Sequence, residues 1–138
     1  MKNVAMLLML VCTVLTKPAT AQDAGVGFCG NFIERLYTSN DQPSVVLSLD
    51  RFTASARKRF KSNKDLYQKY LNAFVKDKAA MKLKHGSMRQ VAAKRYRGPL
   101  IKVTVWLTGT KTRSFLVTYP HGNSLGGNCY VDSMVGIQ

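Results

Sequence analysis

The sequence predicts an α+β fold, with N-terminal helices packed on a curved antiparallel sheet of four to five strands. Three observations carry this. Apolar residues recur at helical spacing as far as Val75, they change to strict alternation at Ile101, and turn-forming Gly, Pro and Asn residues divide the rest of the chain at short intervals. Helices first and strands afterwards give segregated layers rather than alternating βαβ units.

The leader comes first. Lys2 precedes an apolar or small run from Val4 to Thr16, and Lys17-Pro18 closes it ahead of Ala19-Thr20-Ala21. This is the order of a signal peptide, 1–21, with Gln22 first after cleavage. The run is shorter than the roughly 20 residues that span a bilayer, and no later segment is apolar enough to do so. The expectation is a periplasmic or secreted protein without a transmembrane anchor, residues 22–138 forming one domain. Cys12 sits behind bulky Val11, which does not suit lipid attachment.

Phe28, Cys29, Phe32, Ile33, Leu36 and Tyr37 make one helical stripe, ended by Thr38-Ser39-Asn40-Asp41. After Pro43, the residues Val45, Val46, Leu49, Phe52, Ala56 and Phe60 read as a second helix, with Arg57, Lys58 and Arg59 where cations suit the dipole. A third is expected from Ser62, with Asp65 completing a weak capping box and Leu66, Tyr67, Tyr70, Leu71, Phe74 and Val75 as its stripe.

Met81 to Lys84 and Met88 to Arg97 then read as two strands parted at His85-Gly86 and closed by Gly98-Pro99. Ile101, Val103, Val105 and Leu107 alternate with Lys102, Thr104, Trp106 and Thr108, the pattern of a half-buried strand. Gly109-Thr110 turns into a partner strand around Arg113 to Tyr119. A glycine-rich loop, 120–128, precedes the last strand, Cys129 to Val135.

With Cys12 in the leader, Cys29 and Cys129 are expected to form one bridge in an oxidising compartment, tying the first helix to the last strand. No CxxC occurs, and neither histidine has a neighbour at ligand spacing, so no metal or cofactor is expected.

The element order and the ending Cys129-Tyr130-Val131-Asp132-Ser133-Met134-Val135-Gly136-Ile137 resemble the cystatin-like cone of the nuclear-transport-factor-2-like superfamily. Within it, the chain from about Leu49 onward resembles the Mla-type, or toluene-tolerance, periplasmic phospholipid shuttles. Leu66 to Phe74 is similar to that family's long middle helix, Ile101 to Val105 to its central strand, and Val131-Asp132 with Gly136-Ile137 to its close. That family continues into a further helix beyond the position of Gln138, and a cysteine bridge is not its hallmark. The resemblance implies the fold and a phospholipid ligand.

Charge points the same way. The formal net charge is +14, and residues 51–97 hold fifteen Lys and Arg against Asp65 and Asp77 alone. A field of this sign draws anionic partners. Ligand-binding candidates are Arg57, Lys58, Arg59 and Lys61 at one helix end, and Arg95 with Arg97 on one face of a strand. Arg95-Tyr96-Arg97 and Lys102 to Trp106 interleave cations with aromatics, but no nucleic-acid-binding signature accompanies them, which disfavours that class. Asp132 at an inward position would be the acid of a pocket, as in related folds that are enzymes; the expectation is an outward polar residue or one that pairs with a nearby Lys or Arg. The expected function is therefore an exported, non-enzymatic binding or accessory protein for a phospholipid or other anionic envelope polymer. Two alternatives stand beside it: a ribonuclease or phosphodiesterase using His85 and His121 as acid and base, and a module docking on another envelope protein.

Overall fold

Helices fill the first part of the described chain and strands the second. The computed structural model describes residues 21–85, 91–107, 110–119 and 129–138. In it α1 (Ala21–Thr38) leads through short α2 (Pro43–Val46) and a 3₁₀ turn (Leu49–Arg51) into α3 (Ala54–Ser62) and long α4 (Lys64–His85). β1 (Val91–Arg95), β2 (Leu100–Trp106), β3 (Thr112–Thr118) and β4 (Tyr130–Met134) form an open antiparallel sheet whose spatial order is the sequence order. The expected α+β meander is present, with four strands among the described residues. All but the last residue of the expected leader, 1–21, and the loop 120–128 lie outside the described residues.

The first stripe is a helix as expected. Cys29, Phe32, Ile33, Leu36 and Tyr37 are buried, and Thr38 ends it. Small residues set its distance from the sheet, because a Cβ on Gly30 would stand 3.3 Å from the Ala93 side chain and one on Gly25 only 3.0 Å from Tyr119.

The second stripe is not one helix. Phe52 leaves helical geometry to form a parallel bridge with Val131, and the Thr53 backbone N–H donates to the Val131 carbonyl. Thr53 then caps α3, its hydroxyl accepting from Ala56 N–H at 3.0 Å, as an N-cap threonine does. Ser62 closes α3 instead of opening the next helix, its hydroxyl donating to the Arg59 carbonyl. The expected capping box with Asp65 is therefore replaced by a start at Lys64.

The strand expected at Met81–Lys84 is the end of α4. Leu66, Tyr70, Phe74, Asp77 and Met81 are all buried, and their spacing of three or four residues is one unbroken helical stripe. Asp77 hides its continuity in the sequence. It is buried because Arg113 of β3 reaches it, Nε donating to the carboxylate at 2.7 Å. At the other edge of the stripe, Val75 is exposed.

The sheet behaves as the alternation predicts. Ile101, Val103, Val105 and Leu107 are buried against the helices, and Phe115, Val117, Val131 and Met134 continue that layer across the strands. Gly98, at φ +55°, makes the β1–β2 turn, a left-handed conformation that costs glycine nothing. Between the helices and the sheet the space is filled by Phe32, Phe52, Tyr70, Phe74 and Phe115, each no more than 2% exposed. Cys29 and Cys129 form the expected disulfide, joining α1 to the residue before β4.

Candidate anion-binding site

Register places Leu100, Thr118 and Tyr130 side by side at one end of the sheet. Two clefts open there. One, of about 300 Å³, lies under the β1–β2 turn against the start of α1 and is lined by Arg95, Leu100, Ile101 and Tyr119 with Gly25. The other, of about 390 Å³, lies between the start of α3 and the ends of β3 and β4, with Arg57, Thr53, Thr118 and Tyr130 in its wall. These volumes fall at the small end of ligand pockets. Each is of a size for a small polar group, and Phe32, Phe52, Tyr70, Phe74 and Phe115 are buried between the helices and the sheet.

The charge of the two clefts differs. Among the described residues no carboxylate lines the Arg95 cleft. Asp50 shares the other with Arg57, and its carboxyl is held below the ordinary value first by the Ser48 hydroxyl and further by Arg51 and Arg57. A third cleft, of about 270 Å³, lies among α1, α2 and the 3₁₀ turn, away from this end of the sheet, and sets Arg35 and Arg51 beside Asp41, which answers one of the two cations.

The expected binding residues are therefore redistributed. Arg57, Lys58 and Lys61 are exposed on α3, and of these Arg57 lines one of the two clefts at this end of the sheet. Arg59 is diverted. Its guanidinium lies 3.7 Å from the Asp132 carboxylate and also donates to the Asp132 carbonyl, while the Thr53 hydroxyl donates to the same carboxylate at 2.9 Å. The register shift between Leu116 and Val117 of β3 leaves Asp132 of β4 without a Cα partner there, and bulges of this kind re-aim side chains, here onto α3. Asp132 is thus the local ion-pair partner that the sequence suggested.

Arg95 and Arg97 do not alternate along one strand, because β1 ends at Arg95 and Arg97 lies in the turn. Arg95 stands on the helix side, paired with Ile101, and Arg97 stacks near the Tyr96 ring with its Cζ 5.6 Å from the centroid. Lys102 brings its Nζ to 5.9 Å from the same ring, and its Cα partner across the strands is Lys94. That facing pair was missed from sequence, although a hairpin centred on Gly98 fixes it by register.

His85 is the last residue of α4 rather than a turn residue, and His121 lies outside the described residues. The acid and base of a nuclease are thus not part of the described geometry. Among the described residues no group of three or more His, Cys, Asp or Glu is placed to hold a metal ion, and no helix is long and apolar enough to cross a membrane. No protein-family model matches the chain, and neither the curated proteins nor the solved structures yield a match.

Proposed function

We propose that the chain is an exported, non-enzymatic binding or accessory protein that engages an anionic envelope component at this cationic end of its sheet. A phospholipid headgroup is the most concrete candidate. The observation that carries the reading is the cleft at Arg95, whose described lining holds no carboxylate, with Arg97 in the turn above it and Arg57 in a second cleft at the same sheet end. A guanidinium offers a planar, permanently charged set of donors that matches phosphate oxygens.

In this reading the helix and sheet layers are a cystatin-like, nuclear-transport-factor-2-like cone related to the Mla-type shuttles. The aromatic interior limits the interaction to the headgroup, so this protein recognises a lipid in place rather than enclosing its chains. The leader pattern and the Cys29–Cys129 disulfide support a periplasmic or secreted setting.

Protein recovered from its native compartment, extracted with organic solvent and analysed by mass spectrometry, is expected to release a phosphate-bearing component. Recovery of none, together with no heat of binding for short-chain phosphatidylglycerol, contradicts the proposal.

A further inference from the structure

The face of the sheet turned away from the helices is a second surface with its own chemistry. Because Ile101, Val103 and Val105 point into the core, Leu100, Lys102, Thr104 and Trp106 stand on the opposite face. Register adds Lys94 on one side of Lys102 and Leu116 on the other, with Tyr130 across from Thr118. Among the described residues no helix covers this face. Asp132 is the one acidic residue in the four strands, and it is drawn onto α3 by Thr53 and Arg59.

Two features mark it as a contact surface for an anion. Like charges directly opposite each other on paired strands are destabilising, yet Lys94 and Lys102 stand so, and Arg97 joins Lys102 around the Tyr96 ring. A negatively charged surface laid across them relieves that repulsion. Large rings are also left open to water, Tyr96 at 47% and Tyr130 at 36% exposure.

The placement of the rings selects the partner. Tyr96 and Tyr130 lie near the Leu100 end of the sheet, whereas Trp106 stands six residues along β2, about 20 Å away at strand rise. Stacking of successive nucleotide bases uses neighbouring rings. Here the rings stand at the corners, and the middle is Lys102, Leu116 and Thr104. Aromatic side chains around a cationic and aliphatic centre match the chemistry of a bilayer interface, where rings sit at headgroup level and lysines meet lipid phosphates.

We infer that this uncovered face docks flat on an anionic bilayer, Lys94, Arg97 and Lys102 meeting the headgroups and Tyr96, Trp106 and Tyr130 entering the interface. The inference rests on the anionic-envelope reading above and extends it beyond the clefts to the adjoining sheet face, which shares Leu100 and Tyr130 with them. The clefts take one headgroup while the sheet rests on the membrane.

Trp106 is the sole tryptophan and so reports on its own face. Its emission is followed as the protein is titrated with phosphatidylglycerol/phosphatidylcholine vesicles and with phosphatidylcholine alone. A blue shift and protection from iodide quenching are expected on the anionic vesicles only. Lys94→Glu with Lys102→Glu is expected to weaken partitioning at least tenfold, and the milder Lys94→Gln with Lys102→Gln, which serves if the reversal does not fold, at least threefold.

Vesicle-bound protein whose Trp106 emission does not move overturns docking through this face and leaves the cleft reading standing. A response to phosphatidylcholine as large as to the anionic vesicles also overturns it, as does a response to a single-stranded oligonucleotide without one to vesicles. If instead the blue shift and affinity survive Arg57→Glu with Arg95→Glu, the sheet face stands and the cleft reading fails.

Discussion

Asp77 of α4, 5% exposed, accepts a hydrogen bond from Arg113 Nε of β3 at 2.7 Å, so a buried ion pair clamps the longest helix to the sheet. The hydrogen bond to Asp77 raises the proton affinity of Arg113 further above its ordinary range. Asp77→Ala leaves a guanidinium without its counter-charge in a partly buried place, and the expected loss is about 3 kcal/mol of unfolding free energy. Urea denaturation checks it, and replacing both residues by Leu should recover most of the loss.

Tyr37 lies beside that pair, and its hydroxyl, buried and without a hydrogen-bond partner among the described residues, is the exception in an otherwise satisfied core. Its ring packs on Phe74 and Phe115 with centroids 4.8 and 6.0 Å away. Tyr37→Phe keeps those contacts and removes the orphan hydroxyl, so it is expected to stabilise by about 1 kcal/mol.

The same residue sets a pH dependence. Burial foremost, then Asp77, pushes the Tyr37 hydroxyl well above its ordinary value, against the opposing pull of Arg113. A raised folded-state value means a contribution to stability that is complete below a tyrosine's ordinary pKa of about 10 and is lost as pH rises beyond it. Denaturation midpoints measured from pH 8 to 11 should fall at the alkaline end, and Tyr37→Phe should flatten part of that fall. Tyr67 and Tyr70, also raised by burial, retain the rest.

The disulfide closes a loop with a sequence separation of 100 residues, worth up to about 4–5 kcal/mol in the chain-entropy description. Cys29 and Cys129 are expected to resist thiol labelling in unreduced protein even after denaturation. Labelling of both would contradict the bridge.

How much of this was legible depended on whether a signal was local. The β2 alternation and the α1 stripe are contiguous patterns, and burial follows them, with Phe28 alone of the α1 stripe half-buried. The misread places each depend on a distant partner. Asp77 belongs to a core stripe only because Arg113 answers it, and without that knowledge Met81-Lys82-Leu83-Lys84 is too short to tell period 2 from the end of a helix. Phe52 and Thr53 interrupt a helical stripe because Val131, far along the chain, offers a strand to bridge. At the candidate site, the basic residues were evident as types, but not that Arg59 and Arg113 are committed to carboxylates while Arg57 and Arg95 line clefts.

That division of the cations supplies the decisive comparison. Arg57→Glu with Arg95→Glu and Lys64→Glu with Lys111→Glu change net charge equally, but the second pair is exposed on the start of α4 and beside the β2–β3 turn, away from both clefts. Partitioning of each variant onto anionic vesicles is measured at low and at physiological ionic strength, where screening shortens the field to about 8 Å. An anion site at the Leu100–Tyr130 end of the sheet predicts at least a fivefold loss for the first pair, less than twofold for the second, and weaker binding of the native protein as salt rises. Equal, small losses from both pairs with association indifferent to salt would contradict it.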